Sequence, residues 1–154
     1  MKTNLFSPWV LWLALLVAAA ICTVWLPTDN VFPPNTYIAI LLIPAITNWI
    51  YLMIRASRAH PEAGLNPEKV TQLVQTGIYG RIRHPMYLAD IVLVWSVWLF
   101  WPQLRILVFA AWLTIVVGIW IAVEERTMRR RFGQEHVEYS TRVPMIIPRF
   151  GRKP

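Results

Sequence analysis

Four apolar blocks, at 8–26, 37–54, 86–101 and 106–123, constrain this chain more than any other feature of its sequence. Their apolar residues run on continuously instead of recurring at amphipathic spacing, so they read as membrane spans and not as the core stripes of a soluble bundle. A hydrocarbon core of roughly 30 Å needs about 20 helical residues; the third block is short for that and is expected to begin in the interface. Pro27, Pro33 and Pro34 break the chain after the first block. Pro44 is expected to kink the second, where neighbouring helices can satisfy the freed carbonyl. Trp9, Trp25, Trp49 and Trp101 lie near block ends, as interfacial belts require. Only 15% of the residues are charged, against about a quarter in soluble domains.

Lys2 and the run Ala18, Ala19 and Ala20 also resemble a secretory signal with its cleavage site. The apolar stretch continues past the alanines to Leu26, which suits a retained helix better.

Charge sets the orientation. Lys2, the basic residues from Arg55 to Arg83 and those from Arg126 to Lys153 make fourteen of the fifteen Lys and Arg, and Arg105 alone falls on the other side. The positive-inside rule puts both termini and the middle loop in the cytoplasm of a multi-pass protein of the cell membrane. The net charge of +7 therefore reads as an anionic-membrane signal and not a nucleic-acid one. One cysteine, Cys22, leaves no disulfide framework and no metal-ligand spacing. The expected fold is all-α: a single membrane domain over 1–154, with a cytoplasmic loop 55–85 and tail 124–154. Neither piece can bury a core alone, so loop, tail and helix ends must build any site together. Residues 68–75 are expected to form a short helix after Pro67, and 124–132 to continue the fourth span until Gly133 ends it.

Chemistry concentrates in two places. The loop closes on Leu73-Val74-Gln75-Thr76-Gly77-Ile78-Tyr79-Gly80-Arg81-Ile82-Arg83-His84-Pro85-Met86-Tyr87. Gly77 and Gly80 permit close backbone approach to a ligand. Pro85 suits the first turn of the third span, with His84 at its cap. Amides there could hold an anion beside Arg83. The competing reading makes Arg83 and His84 interfacial anchors and the tyrosines part of an aromatic belt.

The second place is Glu124-Glu125, where the fourth span leaves the membrane. Glu125 has Arg129 four residues on, in the favourable order for a helix pair. Glu124 has Thr127 and Met128 at those spacings, so it is the carboxylate expected to face a ligand. Arg129-Arg130-Arg131 reads most simply as a membrane-surface charge run. Asp90, one turn into the third span, is a functional candidate by its cost in the membrane, or else a snorkelling or Arg-paired residue. Asn48 and Thr114 read as helix-to-helix hydrogen-bonding groups.

From Leu73 onward the chain resembles the membrane methyltransferases that include isoprenylcysteine carboxyl methyltransferases and phospholipid N-methyltransferases. The matching elements are Leu-Val-x-x-Gly-x-Tyr, Arg-His-Pro-x-Tyr, a helical hairpin, Glu-Glu, Phe132-Gly133, and then Tyr139, Arg142-Val143-Pro144 and Pro148. Their order and spacing together carry the likeness. It implies S-adenosyl-L-methionine held between cytoplasmic loop and tail, with a lipid or prenylated small-molecule acceptor entering from the bilayer. By position, Leu73, Val74, Tyr79, His84, Pro85, Met86, Tyr87 and Glu124 would line the cofactor pocket. A carboxylate can hold the cofactor's ammonium, and a tyrosine face attracts its sulfonium.

Three positions depart from that pattern: Ala89 for Gly, His136 for Tyr, and Trp120 where prenylcysteine enzymes carry a substrate-binding Arg. Trp120 leans away from a carboxylate acceptor. An amine acceptor must lose a proton before attack, and Asp90 is the tentative base placed to meet it. Two other functions stay open. Tyr87-Leu88-Ala89-Asp90 also matches the end of NADPH-dependent sterol reductases, and a non-catalytic membrane scaffold would bind no nucleotide at all.

Overall fold

The computed structural model describes residues 8–33, 39–62 and 70–147. Among them the regular structure is helical: α1 (Pro8–Trp25), α2 (Ala39–Ala59), α3 (Pro85–Phe100) and α4 (Leu104–Arg142), with a short 3-10 turn at Gly77–Gly80. Each apolar block became one helix. Two of them, Ile40–Ala59 and Leu104–Arg142, are long and apolar enough to cross a membrane, while Trp9–Trp25 and Pro85–Phe100 are shorter apolar helices. Their outward faces are apolar: Trp9, Leu16, Val24 and Trp25 on α1 and Ile40, Ile43 and Ile46 on α2 are all exposed. Surface of that extent is not left in water, and this is a membrane protein.

Helix packing follows the small residues. α2 lies along α3, where Ala45, Ala56 and Ala89 are buried and let the backbones approach closely. α4 packs on both α3 and α1. Its buried Leu113, Val117 and Ile121 form a core with Leu15, Tyr87, Ile91, Val94 and Phe109. The Trp95 indole N–H donates to Thr114 Oγ1 at 3.0 Å, the interhelical role expected of that threonine; Asn48 is instead exposed. Pro44 lies inside α2, as expected.

One local expectation fails. Residues 70–75 are not helical, and 68 and 69 lie outside the described residues. Gln75 instead reaches across to the end of α4, its Nε2–H donating to Glu135 and its carbonyl accepting from Arg142. Gly133 ends the first stretch of α4, as expected: its backbone is non-helical, at φ 53° and ψ −124°, and a second helical stretch beyond this kink runs to Arg142. That backbone conformation is open to glycine and nearly closed to other residues. A Cβ at Gly133 would meet nothing within 4 Å, so Gly133→Ala isolates the backbone cost. It should destabilise the fold by about 1–3 kcal/mol, read as a lowered thermal unfolding midpoint in detergent.

Candidate functional site

Beyond the kink the chain folds back on the start of α3. The Tyr139 hydroxyl donates to the Tyr79 carbonyl at 2.7 Å. The Arg83 and His84 amides donate to the carbonyls of Pro144 and Met145, each at 3.0 Å. The closing Arg142-Val143-Pro144 stretch thus acts as a strap that fixes the Arg-His-Pro segment. Pro85 occupies the first turn of α3, with His84 at the cap position.

Under the strap lies a polar network. Arg83 grips Glu125 with two nitrogens, Nε and Nη2, each at 2.9 Å. Its Nη1 donates to the carbonyls of Ser140 and Val143. His84 Nε2–H donates to Glu125 Oε1 at 2.8 Å, and His136 Nε2 is 3.7 Å from Glu125 Oε2. Glu125 is therefore not the surface partner of Arg129; Arg83, from another element, holds it. Spacing along α4 could not reveal a partner 42 positions away. Arg83, saturated by these contacts, is not free to hold an anion at the start of α3.

Burial alone would raise the Glu125 carboxyl, but hydrogen bonds from His84 and Arg83, with their charges, hold it at about 2. Burial keeps His136 below the usual histidine range, Glu125 pulling the other way. Both groups bind protons less readily in the folded chain than in the unfolded one. Their stabilisation is present above the unfolded values and is lost as pH falls through the folded ones. Stability should therefore be flat above about pH 6.5, decline below it as His136 is charged, and fall further from about pH 4.5 toward 2 as Glu125 is protonated. A series of unfolding midpoints against pH checks this, and a stability that rose on acidification would contradict it.

Glu124 points elsewhere. It accepts from the Tyr87 hydroxyl at 3.0 Å, and His84 Nδ1 faces it at 3.9 Å. Glu124 and His84 stand side by side there, the carboxylate keeping acceptor capacity for a cationic donor. They line a cleft together with Leu73, Val74, Tyr79, Pro85, Met86 and Tyr87, so all eight residues expected around a cofactor border one space. The enclosed part of that cleft is about 80 Å³. Gly77 and Gly80 are not on its wall. Gly77 supplies a positive φ, and Gly80 admits the Gln75 carbonyl at 3.1 Å from where a Cβ would sit.

Sequence reasoning missed His60, which also lines the cleft, its ring edge-on to Tyr79 at 5.8 Å. Burial, the largest influence, lowers its pKa. Burial also raises the Tyr79 phenol, with Glu124 adding to the effect. His60 follows directly on the end of α2, and nothing in its local pattern marks it as facing a site.

Asp90 borders a second, long cavity of about 880 Å³ between the helices, lined mostly by apolar side chains. The Trp49 indole N–H donates to Asp90 Oδ1 at 2.8 Å. Asp90 is thus neither snorkelling nor Arg-paired, and Trp49, well inside α2, is its partner and not a belt residue. Met86, Tyr87 and Glu124 line both spaces and form the wall between them. Trp120 faces the long cavity.

The chain is similar to named methyltransferases over about half of its length. Over 73 residues, 46% of the chain, it is 41% identical to methanethiol S-methyltransferase 1 of Bradyrhizobium diazoefficiens, a match covering 24% of that protein. Over 77 residues it is 32% identical to the methanethiol S-methyltransferase of Crocosphaera subtropica, with 49% of this chain and 29% of the relative covered. Over 87 residues it is 32% identical to protein-S-isoprenylcysteine O-methyltransferase B of Arabidopsis thaliana, with 53% and 42% covered. The chain thus spans less than half the length of each of these relatives. The family model described as phospholipid methyltransferase matches residues 35–135, more than half of the chain, and the chain belongs to that family.

Proposed function

We propose that the protein transfers a methyl group from S-adenosyl-L-methionine to a lipid-sized acceptor held within the bilayer. The supporting observation is the shared wall: a polar cleft and a long apolar cavity meet at Met86, Tyr87 and Glu124. In this reading Glu124 receives the ammonium of the methyl donor, and Tyr79 and Tyr87 offer aromatic faces to its sulfonium. Leu73, Val74, Pro85 and Met86 supply apolar contact. The donor brings an electrophilic methyl; the chain's part is to align it with the acceptor and keep water out. Alignment of that kind is worth up to several kcal/mol of barrier.

The helices are read as four spans, with the Arg83–Glu125 network at the cytoplasmic face and both ends of the chain on that side. The second and fourth helices are long and apolar enough to cross a membrane, and the first and third, also apolar, pack beside them. Two of the relatives are named for methanethiol. A molecule of two heavy atoms would leave nearly all of a cavity of about 880 Å³ empty, which favours a larger acceptor here. Its identity is tested by incubating purified protein with methyl-labelled donor and either membrane lipid extract or methanethiol. Label in the lipid fraction is expected; label in dimethyl sulfide alone would contradict the lipid reading.

Asp90 is assigned to an amine-bearing acceptor, as the base that removes its proton or the anion that holds it. Asp90→Asn should lower turnover at neutral pH at least about tenfold, leave S-adenosylhomocysteine affinity unchanged, and recover in part as pH rises. Full activity of Asp90→Asn would remove that role.

A further inference from the structure

The long cavity ends on a cation. Arg105 lines it at the end remote from the cleft. Its Nε–H donates to Gln103 Oε1 at 2.7 Å, and among the described residues none of the ion pairs includes it. Two features make this placement costly. Arg105 is the one basic residue that the charge asymmetry puts on the far side of the membrane. It also stands in the first turn of α4, where positive charge opposes the helix dipole.

Nor is it a simple surface anchor. The connections at this end of the bundle are joined beside it: the Val31 amide donates to the Pro102 carbonyl at 2.6 Å, Asn30 and Gln103 form an isolated bridge, and Pro102 is buried. A half-buried guanidinium outside every ion pair among the described residues is costly, and an anionic group in the cavity would reduce that cost.

We propose that the long cavity takes an elongate amphiphile lengthwise, with an anionic carboxylate or phosphate on Arg105. Its apolar body lies along Leu93, Val94, Phe109 and Leu113, and its other end reaches Met86 and Tyr87. Arg105 and Glu124 lie 19 positions apart on one helix, about 28 Å at the helical rise, so the occupant is long. The inference rests on the methyl-transfer reading in making this amphiphile the acceptor; the anion site itself stands on the cavity and Arg105. It narrows the acceptor to molecules whose remote end is anionic.

The test uses cis-parinaric acid, a fluorescent long-chain fatty acid, and its methyl ester, with binding to the purified full chain read by energy transfer from tryptophan. The wild type should bind the acid at least about tenfold more tightly than the ester. Arg105→Gln should abolish the preference, and Arg105→Lys should keep part of it. Leu93→Trp, which fills the cavity, should weaken both ligands without changing S-adenosylhomocysteine affinity. A long-chain alkyl phosphate run beside the acid tells a phosphate at the Arg105 end from a carboxylate, the acceptor's nucleophile standing at the opposite end. Equal binding of acid and ester by the wild type, or a preference that survives in Arg105→Gln, would overturn the inference. S-adenosylhomocysteine binding without an acid preference overturns this inference alone. An acid preference without S-adenosylhomocysteine binding overturns the transferase reading and leaves the anion site standing.

Discussion

Arg83→Ala is expected to destabilise the protein by about 3–5 kcal/mol, the cost of stranding a buried carboxylate by removing its partner. Arg83 is nearly buried, with 9% of its side chain exposed against 17% for Glu125. Its guanidinium also holds the carbonyls of Ser140 and Val143, so its loss loosens the strap as well as the ion pair. Arg83→Lys keeps the charge but not the two-pronged grip, and should recover only part of the loss. Arg129→Ala should change stability little, since Glu125 is already engaged. Denaturant titrations in detergent measure all three. An Arg129→Ala protein as unstable as Arg83→Ala would restore the local helix pair and remove the network from the account.

Glu124→Gln should weaken S-adenosylhomocysteine binding at least about tenfold while leaving the unfolding midpoint close to that of the wild type. The carboxylate accepts from Tyr87 and faces His84 across 3.9 Å, an arrangement that asks for a cation and that an uncharged amide fills poorly. Glu125→Gln should show the opposite split, with a large loss of stability and an effect on binding that follows from it. Affinity and stability measured on the same two variants separate the roles. Equal affinity in both variants would mean that the division between the adjacent glutamates is mistaken.

The helices were legible because continuous apolar blocks leave few alternatives, and Pro85 marked the start of α3 within a residue. Gly133 was legible as a break, but the second helical stretch beyond it was not. Whether a helix resumes past a glycine depends on what holds the far side, here Tyr139 on the Tyr79 carbonyl, a contact 60 positions apart in the chain. The partner of Glu125 was misread for the same reason: helix spacing offers Arg129, and the tertiary fold brings Arg83. The pairing of Pro144 and Met145 with the Arg83–His84 backbone left no trace in side-chain pattern, because it is made by main-chain groups. Trp49 looked like an interfacial residue until α2 proved longer than its apolar block, ending at Ala59 and placing the indole beside Asp90. The eight residues around the cleft were legible only through a family resemblance. Spacing alone left the His84 and Tyr87 roles open.

The central claim is that the cleft walled by Glu124, Tyr79 and Tyr87 holds a methyl donor. Calorimetric titration of the purified full chain with S-adenosylhomocysteine and, separately, with NADPH tests it most directly. The account predicts saturable, one-site binding of S-adenosylhomocysteine that Glu124→Gln weakens, and no binding of NADPH; binding of NADPH alone, or of neither ligand, would contradict it.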